Sequence, residues 1–510
     1  MSQPAAEATT TTTTSDITLS LVSHTNAGKT TLARTLLGRD IGEVRDAAHV
    51  TEFVSVHELV ATAQGQRLLL ADTPGFGDSA RLLRRLRMID NPLGWFLSAV
   101  WDRWRDRPFW AAQQALRHVQ QHSSVLLYLV NAAESPTGAV YVAAEMDLLT
   151  WIGKPVLVLL NQLGTPRPPA DEAADLQAWR DHLTRWPLVA DVLPLDAFAR
   201  CWVHERTLLQ AVQAALHGPQ AQTMAELEAA WLAQREATFE ESMRVLANSL
   251  GRCAAARQSV AEATGLADRL RQFGNAITRR GEELRPEAVA QQKLASLIES
   301  EARDSTAQLV SLHGLVAGSE ARGDSVQSQI LARVAEQYAV RERLPEGRAA
   351  VLGGAVTGAL TGLKADVLSG GLTLGGGMLA GGIVGALGAA GLARGINVLR
   401  DTGQSWVELG PQALDAALQA ALLRYLAVAH FGRGRGGYVQ GESPPHWPQV
   451  MLNATAPQQA AITALWTGRS RRFDNAGEAE RIALALQPLL ATSVRAAFAE
   501  LYPTAQNHPA

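Results

Sequence analysis

Two short stretches carry residue types whose spacing suits phosphate chemistry. Residues 23–30 read SHTNAGKT, between the apolar run ITLSLV (17–22) and LARTLLG, a helix pattern that Gly38 would end. Backbone N–H groups at such a helix N-terminus, together with the helix dipole, favour a polyphosphate. Lys29 would neutralise the β and γ phosphates, and the Thr30 hydroxyl would ligate Mg²⁺. The first position is Ser23, where the pattern prefers glycine. The second stretch, DTPGF (72–76), ends the apolar run RLLLAD. Asp72 there can hold the Mg²⁺ through a water, Gly75 would offer its N–H to the γ phosphate, and Thr51 in DAAHVTEF is placed to close over the metal. The candidate catalytic residues are therefore Lys29, Thr51 and Gly75. The nucleotide-binding set on this loop is Asn26, Ala27, Gly28, Lys29, Thr30 and Thr31, and the Mg²⁺ ligands are Thr30, Thr51 and Asp72.

The surrounding pattern supplies elements able to present these loops. From residue 17 to 216 short apolar runs alternate with amphipathic stretches, which predicts strands interleaved with helices and a mixed, mostly parallel sheet. EFVSVHELVAT and RLLLAD read as a hairpin turning at Gly65. SVLLYLV (124–130) and PVLVLL (155–160) are continuous apolar runs of the kind found in strands covered on both faces, and VADVLPL (189–195) is a weaker sixth strand. With 510 residues and 47% apolar composition the chain can bury more than one core. The boundaries read from composition are a disordered tail at 1–16, an α/β domain at 17–216 with an insert at 78–123, a helical domain at 217–345, a glycine-rich apolar helical hairpin at 346–400, and a C-terminal helical domain at 401–510. The region after 216 is expected to be all-helical.

These residues also carry a resemblance. SHTNAGKT, Thr51 and DTPGF together look like the translation-factor-related GTPases, and within them the TrmE-Era-EngA-septin-like group. The resemblance implies a Ras-like P-loop G domain that binds GTP and GDP with Mg²⁺ and hydrolyses GTP as a molecular switch. Members of that group with a lone asparagine before the GK pair use it to ligate a monovalent cation, so Asn26 is implied as a K⁺ ligand. Over the whole chain, this domain followed by HFGRGRGGY and a glycine-rich helical half is similar to a bacterial GTPase family whose C-terminal half is described only as a domain of unknown function.

The sequence departs from that group's pattern in two places. Guanine specificity normally rests on Asn-Lys-x-Asp, but residues 161–164 read NQLG. Asn161 and Gln162 can meet the ring edge, whereas Gly164 offers no carboxylate, a loss of roughly 1–3 kcal/mol in base discrimination by analogy with base-edge readout. ATP or weak base selectivity stays open as the alternative. The last base-binding loop falls near Ala197, in VLPLDAF, with Asp196 a candidate replacement carboxylate. Phe76 occupies the place where Ras-like GTPases carry a water-orienting glutamine. Hydrolysis is then expected to be slow alone and faster in a homodimer through the G domains or with a protein partner. A non-hydrolysing nucleotide-binding scaffold is the rival class.

Other segments bear on partners. The connection from Asp78 to Ser124 is long enough to need structure of its own. In it Leu93, Leu97, Val100, Trp101 and Trp104 share one helical side, suited to packing on the G domain, docking a partner, or lying at a membrane interface. Residues 367–393 carry no charge, are long enough to cross a bilayer, and repeat small residues at Gly377, Gly381 and Gly385. A packed soluble hairpin and a membrane-associated remodelling protein both remain open. His118 and His122 stand at i, i+4 without a carboxylate pattern that would support zinc, and Arg433 and Arg435 sit in a glycine-rich loop. A net charge of −3 predicts no specific nucleic-acid binding, and two isolated cysteines fit a reducing cytoplasm, with peripheral placement at the inner membrane as the variant.

Overall fold

A computed structural model describes residues 16–24, 27–38, 54–76, 79, 81–83, 107–161, 169–195, 201–260, 286–314, 396–401, 404–430, 446–469 and 475–502. Residues 1–15 of the expected tail, the amphipathic stretch at 93–104, the glycine-rich segment at 367–393 and the GRGRGG loop lie outside the described residues, while Asp16, counted with the tail, accepts from Arg67. The chain divides between Glu236 and Ala237 into two compact units.

The first unit is built on six strands: β1 (Ile17–Ser23), β2 (Ser55–Ala61), β3 (Arg67–Asp72), β4 (Val125–Asn131), β5 (Val156–Asn161) and β6 (Val189–Pro194). Their order is β2-β3-β1-β4-β5-β6. Only β2 runs antiparallel, pairing with β3 through the turn at Gly65, whose φ of 87° suits glycine. The described helices are α1 (Lys29–Leu37), α2 (Arg107–His122), α3 (Tyr141–Ile152), α4 (Pro169–Leu183), α5 (Trp202–Ala215) and α6 (Pro219–Ala255). Gly38 ends α1 in the left-handed region at φ 64°.

Strand side chains alternate between two apolar layers. Leu19, Leu21, Leu127, Leu129, Leu157 and Leu159 join α1, α5 and the start of α6 on one face. Leu126, Tyr128, Val130, Val158 and Leu160 join α2, α3 and α4 on the other. Coverage of both faces is why β4 and β5 read as unbroken apolar runs. Met224, Leu227 and Trp231, beyond the expected boundary at 216, belong to the first of these layers.

The second unit takes the remainder of α6 with α7 (Pro286–Leu312), α8 (Pro411–Ala429), α9 (Trp447–Thr455), α10 (Gln459–Thr467) and α11 (Asn475–Leu501). Its helical character agrees with the sequence, but it is not all-helical. Strands β7 (Arg257–Val260), β8 (Ile396–Asp401) and β9 (Gln404–Leu409) form an antiparallel sheet in the order β7-β9-β8. β7 pairs with β9 across a long sequence separation, whereas β8 and β9 pair locally, from Ile396 with Leu409 to Asp401 with Gln404. The sheet is anchored by a buried charge cluster: Glu408 accepts from Arg257 at 3.1 Å and from Arg469 at 3.2 Å, while Arg469 also donates to the carbonyls of Ala254 and Leu409. Each charge is met within the cluster, as burial requires. Helix α11 has the length and apolarity of a membrane span, yet half of its most apolar window is buried in this unit, as in a core helix.

Two predictions follow from this packing. A methyl group at Gly251 would meet the Ala479 carbonyl oxygen at 2.4 Å and the Ala483 Cβ at 3.2 Å. Gly251→Ala should therefore destabilise the second unit by about 1–3 kcal/mol, read from urea unfolding. His430 is buried with Nδ1 donating to the Leu426 carbonyl and Nε2 facing the Tyr502 hydroxyl, and burial pulls its pKa from 6.5 down to about 4. Between those values the unfolded chain binds the extra proton, so stability should fall as pH is lowered from 6.5 toward 4. The slope from this group is at most about 1.4 kcal/mol per pH unit. His430→Gln should flatten that part of the profile in thermal unfolding measured across the same window.

Candidate phosphate-binding site

The parallel edge of the sheet brings the two sequence motifs together. β1 runs into the loop that opens α1, and β3, its neighbour in the sheet, delivers Asp72. Gly28 caps α1 in the left-handed region at φ 89° and ψ 23°. This conformation lets the loop turn directly into the helix, with Lys29 as its first residue. Ala27 and Thr31 are buried, and Thr30 is partly exposed beside Asp72.

The Lys29 ammonium is buried and donates to the Ser23 hydroxyl at 2.8 Å and, more weakly, to the His24 carbonyl at 3.4 Å. Burial draws its pKa down to about 8 against the attraction of Asp72 and Glu145. An anion beside it would relieve that desolvation. Ser23, the departure from the glycine pattern, thus has a visible role: its oxygen holds the lysine and also donates to the His24 carbonyl at 2.5 Å.

Thr30 Oγ1 donates to Asp72 Oδ2 at 2.7 Å. The other carboxylate oxygen, Oδ1, is buried and has no hydrogen-bond partner among the described residues. Burial pushes the Asp72 pKa up, countered by the Thr30 hydrogen bond and then by Lys29. A hydroxyl beside a carboxylate with an orphaned oxygen is a hard oxygen donor set, and it fits Mg²⁺. Thr51 and Asn26 lie outside the described residues, and so do Gln162, Gly164, Asp196 and Ala197.

Gly75 is buried, and the next residue, Phe76, donates its N–H to the Ser23 carbonyl at 2.9 Å, so DTPGF lies against the start of the loop. The Phe76 ring is fully buried in the second apolar layer. Asn161, expected at the base edge, is buried at the end of β5 and donates from Nδ2 to the Ala27 carbonyl at 2.8 Å. That amide proton is used to hold the loop. His118 and His122 do share a helix side, with rings 4.9 Å apart, but no group of three or more metal-ligating side chains occurs among the described residues.

Sequence reasoning missed a polar group on the far side of the loop. The Glu145 carboxyl, fully buried on α3, meets His24 Nδ1 at 2.9 Å and accepts from Ser79 Oγ and Tyr128 Oη, each at 2.7 Å. The His24 ring stacks on Tyr141 at 4.6 Å, and its hydrogen bond to Glu145 raises its pKa despite burial. Burial raises the Tyr128 pKa strongly. A signal was available: Glu145 falls on the stripe Val142, Met146, Leu149 and Ile152, where a lone carboxylate needs buried partners.

Two family profiles match the chain. Residues 180–485 match a domain of unknown function, DUF3482, over more than half of the chain. The chain belongs to the DUF3482 family. Residues 18–162 match the 50S ribosome-binding GTPase profile, and this N-terminal part of the DUF3482 protein is a P-loop GTPase domain of the GTP-binding class. No curated protein is significantly similar in sequence.

The solved structures similar to this chain share little of its sequence. Era in complex with MgGDPNP and 16S ribosomal RNA nucleotides is 14% identical, with a TM-score of 0.29 over 40% of this chain. This chain spans 58% of that Era chain. Era from Aquifex aeolicus bound to GDP and AlF4− is 13% identical, with a TM-score of 0.29 over 56% of this chain and 88% of its own. A bacterial dynamin pair is 10% identical, with a TM-score of 0.23 over 94% of this chain and 77% of its own.

Removing the Asn161 amide would leave the buried Ala27 carbonyl without that donor. Asn161→Ala should lower the free energy of loop opening by about 1–3 kcal/mol, seen as roughly 5- to 150-fold faster amide hydrogen exchange in the first turn of α1.

Proposed function

We propose that this protein binds GTP as its Mg²⁺ complex in the loop at 23–31, hydrolyses it slowly to GDP and phosphate, and uses its helical second half to couple nucleotide state to a partner. The observation that carries the reading is the Thr30–Asp72 pair, with the orphaned Asp72 oxygen, beside the buried Lys29 ammonium. Thr30 and Asp72 would hold the Mg²⁺, joined by Thr51. When bound, the ion neutralises charge on the phosphate oxygens.

The chain's own residues do the remainder. The first amides of α1 and Lys29 orient the β and γ phosphates, and Gly75 offers its N–H to the γ phosphate. Asn161 steadies the loop from below while its ring-edge contact, with Gln162 and Ala197, would read the base. Water then attacks the γ phosphorus as its bond to the bridging oxygen breaks, so that GDP leaves with that oxygen and the water's proton passes to the released phosphate. Phe76, enclosed in the core, cannot orient that water. Acceleration is accordingly assigned to K⁺ at Asn26, to pairing of two G domains, or to a partner. The same enclosed Phe76 favours the second reading, a scaffold that binds nucleotide without turning it over. The two buried cysteines, Cys201 and Cys253, are not joined in a disulfide, which accords with a cytoplasmic site of action.

Purified protein should be titrated with GTP, ATP and their diphosphates in Mg²⁺, first in K⁺ and then in Na⁺, with phosphate release followed in parallel. GTP is expected to bind more tightly than ATP, and Lys29→Ala should weaken triphosphate binding at least about thirtyfold. Tight binding with no phosphate release, even at high protein concentration in K⁺, would select the scaffold. Absence of binding to any purine triphosphate would end the nucleotide reading.

A further inference from the structure

Glu145 is the only charged residue on the buried stripe of α3, and its carboxyl gathers donors from three separate segments. Oε1 takes both His24 Nδ1 from the phosphate loop and Ser79 Oγ, which lies three residues beyond Phe76. Oε2 takes the Tyr128 hydroxyl from β4, a central strand. The His24 ring is held on its flat side by Tyr141 from the first turn of the same helix. The backbone repeats the connection: the His24 carbonyl receives Lys29, and His24 bridges to Phe76. One rigid helix therefore grips the loop that would carry the phosphates and the segment that would sense the γ phosphate.

We propose that Glu145 is a positioning residue that couples the segment after DTPGF to the phosphate loop through its shared Oε1, and so sets the preference between nucleoside triphosphate and diphosphate. The inference rests on the GTP-binding reading above. Its physical basis is that a buried carboxylate oxygen with two donors holds both of them. When Gly75 responds to a γ phosphate, the chain carrying Ser79 moves with it, and the loss or gain of that donor changes how firmly His24 and its carbonyl are held. Ser79 is itself buried, so its hydroxyl cannot exchange Glu145 for water without such a movement.

The test uses the full chain and fluorescent GDP and a non-hydrolysable GTP analogue, with affinities measured for wild type, Ser79→Ala, Glu145→Gln and the double variant. Ser79→Ala and Glu145→Gln should each shift the ratio of triphosphate to diphosphate affinity by about five- to tenfold, the size of one hydrogen bond. The double variant should shift it no further than Glu145→Gln alone, because both changes act through one oxygen. A glutamate that only props the core would weaken both nucleotides together, so an unchanged ratio overturns the proposal, as do single effects that simply add. Should Glu145→Gln fail to fold, Ser79→Ala decides by itself: an unmoved ratio there refutes the coupling. Wild-type protein that binds neither nucleotide overturns the GTP reading and this inference with it, whereas normal wild-type binding with unmoved ratios overturns the coupling alone.

Discussion

The constraint on which the structure turns is the burial of opposite charges at the end of a parallel sheet. Lys29 is enclosed with neutral acceptors, and Asp72 is enclosed with a hydroxyl on one oxygen and nothing described on the other. Each is pushed toward its neutral form by desolvation, and each is drawn back by the other. Such an arrangement costs stability in isolation. Under the proposed function a metal-bound polyphosphate would offset that cost, its anionic oxygens answering the ammonium and its cation the carboxylate. A fold retains this arrangement where binding offsets the cost.

The rest of the first unit can be read as support for that desolvated pair of charges. Apolar layers on both faces of the sheet fix β1 and β3 side by side, which sets the approach of Lys29 to Asp72. The loop is then held from two directions, by Asn161 on the Ala27 carbonyl and by the Phe76 amide on the Ser23 carbonyl. Glu145 adds a third hold through His24. Restraint of this kind leaves less conformational freedom to be lost when a ligand binds. The second unit follows a different logic, with long helices around a small sheet at which Glu408 pairs with the two buried arginines, Arg257 and Arg469.

Much of this was legible in the chain itself because its signals are local. A strand, a glycine in the left-handed region and a helix led by Lys29 form a contiguous unit, so the phosphate loop can be recognised without knowing its neighbours. The unbroken apolar runs of β4 and β5 likewise declare strands covered on both faces, and Gly65 declares the hairpin. Composition identified the helical character of the second half. It did not identify β7, β8 and β9: β7 finds its partner β9 about 150 positions away, and the hairpin of β8 with β9 is made of two six-residue runs, too short to stand out from the helix-favouring sequence around them.

The sequence alone singled out Lys29, Thr30 and Asp72 as side chains of the types that suit phosphate and metal, because that chemistry resides in residue types at fixed spacing within two short motifs. Only the tertiary structure decided how they are held: that Ser23 supplies an oxygen to Lys29, that the Asn161 amide serves the loop backbone, that Phe76 is a core residue, and that His24, Ser79 and Tyr128 converge on Glu145. Those partners lie up to 134 residues apart along the chain. Hydrogen bonds act across about 3 Å of space, and no spacing rule in a linear sequence expresses a distance that only sheet and helix packing creates.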